Sequence, residues 1–165
     1  MKYIKTKVND SITLSLPEGF RLLDKTEVDR KYVAAKAPLA AYTDAMSGTV
    51  DIGVNVAFSQ WNPEDLEIMK SFYKSNIMGL YNEVRFITEE VIEVDGQKYA
   101  VFEFVSVVKD EEGTSFDQSS TSKYTRIHYG IINRKTLLLN FSCPATQQNT
   151  WAPVAKHVLE SVKIK

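Results

Sequence analysis

The chain has 165 residues, of which 44% are hydrophobic and 25% charged, and 20 basic against 21 acidic side chains leave a net charge of −1. This length is near the commonest size of one domain, so we expect a single domain over residues 1–165. The balanced charge favours neither a nucleic-acid-binding protein nor a protein that binds an anionic membrane surface.

The cysteine content and the lack of long apolar runs constrain the location of the protein. Cys143 is the only cysteine, which excludes an internal disulfide and a cysteine-rich metal site. No run is long and apolar enough for a signal-peptide core or a membrane-spanning helix. These features predict a cytoplasmic protein without membrane insertion if Met1 is the native start. A trimmed form of an exported protein would have the same sequence.

The first third of the chain is predicted to form strands. Ile12, Leu14 and Leu16 alternate with polar residues, which predicts a strand with one wet face. Residues 20–33 indicate a weak helix or a turn. Residues 37–58 predict a β-hairpin, because two extended runs with alternating apolar residues meet at a Ser-Gly pair.

Two segments have helical periodicity. In residues 61–81, Asn62 suits the N-cap and Pro63 the first helical position. The apolar stripe of this helix is predicted to comprise Leu66, Met69, Tyr73, Ile77 and Leu80. A second helix is predicted over residues 149–165, with its stripe formed by Trp151, Val154, Val158 and Val162.

The sequence "FITEEVIEVDGQKYAVFEFVSVV" predicts two strands joined by a tight turn at Asp95-Gly96. In the second strand both sets of alternating residues are apolar, and only Glu103 interrupts them. A strand that is apolar on both faces belongs at the centre of a sheet that is covered on each side. We therefore expect this strand to be central.

The polar stretch 109–123 is predicted to be an extended hairpin tip or a loop, and loops of this length are often functional or disordered. Residues 124–144 then predict another strand pair. Strands, a helix, four hairpin-connected strands and a last helix together predict an α+β domain, in which helices pack on a mainly antiparallel sheet.

The candidate binding residues are Tyr124, Arg126 and His128, which alternate along one face of a predicted strand. Such a row of side chains is able to bind an anion or a peptide carboxylate. A solvated strand face beside a polar loop explains the same pattern, because antiparallel sheets commonly leave one face partly wet. Both interpretations remain open at this point.

No catalytic, metal or cofactor site is predicted. The two histidines lack the paired spacing of a metal site, and the chain has no P-loop, nucleophile elbow or dinucleotide-binding glycine pattern. Cys143 would act as a nucleophile only if strand pairing brought His128 close to it. The alternative is that Cys143 is a small buried hydrophobic residue.

The layout of the chain resembles the PsbP-like superfamily. The resemblance rests on "ITLSLPEGF", "DLEIMKSFYKSNIMGL", the hairpin "EEVIEVDGQKYAVFEFVS" and "TLLLNFSCPATQQNTWAPVAKHVLESVKI". It implies an antiparallel sheet sandwiched between helices and a non-enzymatic protein that binds other proteins. The chain has no lipobox cysteine near its start and no transit peptide, so it is most similar to a bacterial cytoplasmic member, such as an effector chaperone.

We therefore expect a non-catalytic, protein-binding or chaperone-like module that holds a segment of another protein against a sheet face and the 109–123 stretch. The alternative is a small-ligand-binding protein or hydrolase with a pocket around Tyr124, Arg126 and His128. The two hypotheses differ in whether these three side chains line a cleft.

Overall fold

The structure is a computed structural model that describes residues 1–32, 38–58, 60–109 and 120–165. Within these ranges the strands and helices are, in chain order, β1 (Tyr3–Lys7), β2 (Ile12–Pro17), β3 (Phe20–Leu22), α1 (Lys25–Lys31), β4 (Ala40–Asp44), β5 (Asp51–Ala57), α2 (Leu66–Leu80), β6 (Glu83–Val94), β7 (Gln97–Lys109), β8 (Ser120–Ile132), β9 (Lys135–Pro144), α3 (Gln148–Glu160) and β10 (Lys163–Ile164).

The described strands form two antiparallel sheets. Seven strands make the large sheet, in the order β3-β4-β5-β9-β8-β7-β6, and β1-β2-β10 make a small sheet. The small sheet and α3 cover one face of the large sheet, while α2 covers part of the other face. The predicted α+β fold, a mainly antiparallel sheet with helices on both sides, is confirmed.

The prediction for β7 is confirmed for its coverage on both faces but not for its place in the sheet, because β7 lies next to the edge strand β6 and not at the centre. Val101 faces the core beneath α3, whereas Phe102 and Phe104 face the core beneath α2. All three side chains are fully buried. A strand that contributes side chains to two cores has to be apolar on both faces, which explains the nearly continuous apolar run in the sequence.

The helix α2 begins later and buries a narrower stripe than its sequence predicts. Asn62 caps a short 3₁₀ turn over Pro63–Asp65, and α2 itself begins at Leu66. Met69 is fully buried, but Leu80 is largely exposed, so its predicted place in the stripe is wrong. The helix ends at Leu80, and the next residue, Tyr81, packs against the sheet instead.

The polar stretch 109–123, predicted as an extended hairpin tip or a loop, is in part an extension of the β7-β8 hairpin. Strand β7 continues to Lys109 and β8 already begins at Ser120, so both ends of the stretch belong to strands. Residues 110–119 lie outside the described residues.

A close contact between Tyr99 and Gly130 fixes the packing of the β7-β8 pair beneath the small sheet. The two residues are directly opposite each other in the antiparallel register. A Cβ atom added to Gly130 would lie 2.7 Å from Cε1 of Tyr99, and the Tyr99 ring is buried. The ring therefore occupies the space that a side chain at position 130 would need.

We predict that Gly130→Ala destabilises the protein by about 1–3 kcal/mol, because the added methyl group displaces the buried Tyr99 ring. The measurement is the free energy of unfolding in urea. Gly79→Ala is the control, since a Cβ at this exposed position in α2 meets nothing within 4 Å. It should stabilise the protein by about 0.5–1 kcal/mol. A Gly130→Ala variant at least as stable as the wild type would contradict the described packing.

Candidate functional site

The three side chains predicted to bind an anion or a peptide carboxylate face the core beneath α3. Tyr124 and His128 are fully buried, and Arg126 is 4% exposed. The interpretation of this row as a solvated strand face is therefore wrong. The alternation along β8 was recognised correctly, but the small sheet and α3 cover this face.

These side chains take part in a polar network that crosses three strands. The hydroxyl groups of Tyr124 and Thr88 donate hydrogen bonds to the two carboxylate oxygens of Glu103, the latter at 2.7 Å. Arg126 places Nη1 3.9 Å from the same carboxylate, and its Nε donates a hydrogen bond to Nε2 of His128 at 3.0 Å. The network pairs the buried cation with a carboxylate, as a buried charge requires.

Burial sets the protonation state of His128. Desolvation, reinforced by the positive charge of Arg126, lowers the pKa of His128 from its ordinary 6.5 to about 3. The imidazole is therefore neutral near pH 7, and its Nε2 accepts the hydrogen bond from Arg126. A neutral ring whose acceptor nitrogen is already occupied is poorly placed to act as a general base.

Strand pairing does not bring Cys143 to His128. Cys143 is opposite Tyr124 in the β8-β9 register, whereas His128 is opposite Leu139. Four residues along the strand separate the two positions by about 13 Å. Burial also raises the pKa of the Cys143 thiol to about 11, so the thiol is protonated near pH 7.

Among the described residues, no group of three or more His, Cys, Asp or Glu side chains is arranged to hold a metal ion. In that same part of the chain, no helix has the length and apolar character needed to cross a membrane.

A first opening, which we call the apolar groove, lies between the small sheet and the β3 end of the large sheet. Its volume is about 390 Å³. Its apolar lining residues are Ile4, Val8, Leu16, Pro17, Phe20, Leu22, Leu39, Ala40 and Tyr42.

Some aliphatic side chains on the core-facing sides of the two sheets are exposed in the groove. Ile4 is opposite the buried Leu16 and is 48% exposed, while Leu22 is opposite the buried Tyr42 and is 61% exposed. Leu39 is 51% exposed. Paired residues share a sheet face, so Ile4 and Leu22 lie on the inner faces at positions that the described part of the chain leaves uncovered.

Both walls of the apolar groove are strand edges. Within the described ranges, β1 pairs only with β2, and β3 pairs only with β4. The outer edges of β1 and β3 therefore present backbone N–H and C=O groups that no neighbouring strand occupies.

A second opening, which we call the polar cleft, lies on the opposite face of the large sheet from the Tyr124 row. Its volume is about 770 Å³. Side chains from β7, β8 and β9 line its floor and rim, namely Ser106, Val108, Thr121, Lys123, Thr125, Ile127, Asn140, Ser142 and Pro144. Lys31, Tyr32, Gly48, Thr49, Asp51 and Tyr81 line its walls.

Neither opening is predicted from the sequence. Two features of the sequence could have indicated the polar cleft. One is Thr125 among the β8 residues that alternate with Tyr124, Arg126 and His128, and the other is the set of polar residues that interrupt the apolar run in "TLLLNFSCP". Tyr124, Arg126 and His128 line neither the apolar groove nor the polar cleft. That these three residues bind a ligand stays a prediction.

The low pKa of His128 makes stability depend on pH. Below about pH 6.5 the unfolded chain binds a proton at this position that the folded protein does not bind until about pH 3. The free energy of unfolding should therefore fall as the pH drops through this window, by about 1.4 kcal/mol per pH unit from this group.

We expect His128→Gln, which keeps an acceptor for Arg126, to lack this contribution. Urea unfolding of both proteins between pH 6 and 4 should show their difference in unfolding free energy shifting in favour of the variant by about 1.4 kcal/mol per unit as the pH falls. A difference that stays constant over this range would show that His128 is not held neutral by burial.

No protein-family model matches the sequence, and neither does any curated protein. Solved structures are similar in fold. The cyanobacterial PsbP protein CyanoP of Synechocystis sp. PCC 6803 superimposes with a TM-score of 0.67 at 13% identity, covering 94% of this chain and 88% of its own.

Two further structures cover nearly the whole chain. The Ran-binding protein Mog1p of Saccharomyces cerevisiae gives a TM-score of 0.61 at 10% identity over 99% of this chain and 96% of its own. LpqN of Mycobacterium tuberculosis, a protein involved in cell envelope biogenesis, gives 0.61 at 11% identity over 99% and 91%. These likenesses confirm the resemblance seen in the sequence at the level of architecture: the chain has the PsbP-like fold.

Proposed function

We propose that the protein is a non-catalytic binding module that holds an extended apolar segment of another protein in the apolar groove. The observation that carries this proposal is the exposure of inward-facing aliphatic side chains between two free strand edges. Extended segments commonly bind by adding a strand to an exposed sheet edge, where backbone hydrogen bonds give affinity and side-chain pockets give specificity.

The lining of the groove supports an aliphatic occupant without charge. Of the described residues that line it, only Lys7 is charged, and its amino group is 3.2 Å from a carboxylate oxygen of Asp10. Alternate side chains of an extended segment point to the same side. Aliphatic residues at two such positions would therefore enter the groove together, while the backbone pairs with β1 or β3.

The size of the groove favours a segment over a second folded domain. A volume of about 390 Å³ holds a few side chains. A stable interface between two folded proteins buries about 1,200–2,000 Å². A short segment is therefore the occupant that matches the opening.

The chemistry of the two candidate nucleophile and base residues also supports a non-catalytic role. The Cys143 thiol has a raised pKa, and His128 has a lowered pKa and lies elsewhere on β8. In addition, neither the Cys143 nor the His128 side chain lines the apolar groove.

The proposal predicts that displayed random peptides selected on the purified protein carry aliphatic residues at alternate positions. Such peptides should bind Leu22→Asp about tenfold more weakly than the wild type or worse, because a charge then faces the apolar side chains of the segment. Ile68→Asp is the matched control, since Ile68 on α2 is 62% exposed and Leu22 is 61% exposed. Fluorescence anisotropy of the selected peptides measures the dissociation constants.

The expected result is unchanged binding to Ile68→Asp and loss of binding to Leu22→Asp. Equal binding of the peptides to both variants would place the site elsewhere. Failure to enrich any peptide above the background, or turnover of a small substrate by the pure protein, would contradict the proposed function.

A further inference from the structure

The polar cleft opens where α2 stops covering the large sheet. Helix α2 packs over β7 and β8 around Phe102 and Tyr129, and its Tyr73 ring stacks on the Tyr129 ring at 4.2 Å. Further along the same face, Ser106 and Thr125 replace the large apolar residues. The face therefore changes from an apolar core to a polar floor within the same strands.

The floor of the polar cleft has hydrogen-bonding capacity that the described protein groups do not use. Ser106 and Thr125 are buried, at 3% and 5% exposure. Oδ1 of Asn140, on the neighbouring strand, is buried and has no hydrogen-bond partner among the described residues. Buried polar atoms are nearly always paired, so this acceptor, on a side chain that lines the cleft, would gain a partner if the Asn140 amide turned its oxygen toward a donor of a ligand.

The charges that line the cleft are arranged so that its floor is neutral. Lys31 places Nζ 2.6 Å from Oδ1 of Asp51, and it also donates a hydrogen bond to the carbonyl of Gly48. Lys123 is exposed at the rim, where water solvates its charge. The described lining thus lacks a buried, unpaired charge that would recognise an ion, and this favours an uncharged ligand.

The hydroxyl group of Tyr32, a wall residue of the cleft, lies over β5, the strand that pairs with the strand of Asn140. A Cβ atom added to Gly53 would lie 3.2 Å from the hydroxyl oxygen of Tyr32, and Gly53 is opposite Asn140 in the β5-β9 register. Burial and the charge of Asp51 raise the pKa of Tyr32 to about 12, so this hydroxyl keeps its proton. It therefore adds a neutral group, able to donate and accept, near the unpaired oxygen.

The backbone of the floor is already hydrogen-bonded. Strands β7, β8 and β9 are paired with one another, so the cleft offers side-chain hydroxyl and amide groups and no free strand edge. Each hydroxyl donates and accepts, which matches a ligand whose own groups do both. The volume of about 770 Å³ is within the range of small-molecule sites.

We propose that the polar cleft binds a neutral sugar or polyol, with a ligand hydroxyl donating to Oδ1 of Asn140. This site is distinct from the apolar groove and lies on the other face of the large sheet. The aliphatic groove takes a protein segment through strand edges, whereas this cleft takes a small ligand through side-chain hydrogen bonds.

The test is a titration of the ¹⁵N-labelled full chain with glucose, N-acetylglucosamine, maltose and glycerol, followed by amide chemical shifts. At least one of these compounds should shift the amides of Ser106, Thr125 and Asn140 in a saturable manner at concentrations up to about 50 mM, which covers weak specific binding. Shifts confined to other parts of the chain, or none from any of the four compounds, would overturn the proposal.

Asn140→Leu separates recognition from stability. The variant removes the unpaired oxygen, so it should unfold at the same or a higher temperature while binding the sugar about tenfold more weakly. Asn55→Leu is the matched control. Asn55, on β5, lies on the same face of the large sheet as Asn140 but does not line the cleft. Equal affinities of wild type and Asn140→Leu would overturn the assigned contact. Weaker binding by Asn55→Leu alone would place the site near Asn55, outside the polar cleft, and would also overturn the proposal.

Discussion

Burial of both faces of β7 and β8 is the constraint on which the remaining structure depends. Alternate side chains of these strands belong to two separate cores, one beneath α3 and the small sheet and the other beneath α2. Because neighbouring residues serve different cores, a shift of register by one residue would exchange their surroundings. The two openings occur where a covering layer ends, at the β1 and β3 edges on one face and beyond α2 on the other.

The polar network shows how the core beneath α3 tolerates charge. Arg126 is buried beside Glu103, and the hydroxyl groups of Tyr124 and Thr88 complete the surroundings of the carboxylate. Buried pairs of this kind seldom add much stability, but removal of one partner leaves an uncompensated charge. These contacts link β6, β7 and β8, and the side chains of Tyr124, Arg126 and His128 face neither opening.

Local patterns in the sequence predicted most of the fold, because alternation and helix caps are encoded within single segments. The doubly apolar run of β7 and the turn at Asp95-Gly96 are examples. The short edge strands β1, β3 and β10 carry no such pattern, since their pairing depends on distant segments. The place of Tyr124, Arg126 and His128 was missed for the same reason: alternation shows that side chains share a face, but it does not show what covers that face.

Native-state hydrogen exchange tests the central claim most directly, because it measures the free energy of opening at each backbone amide. We predict that amides in the middle of β7, β8 and β9 exchange only through global unfolding, and that those of β1 and β3 beside the apolar groove exchange through smaller, local openings. Exchange of β8 amides near Arg126 at a free energy far below that of global unfolding would contradict the burial of both faces of β8, because it would show that this face is open to water.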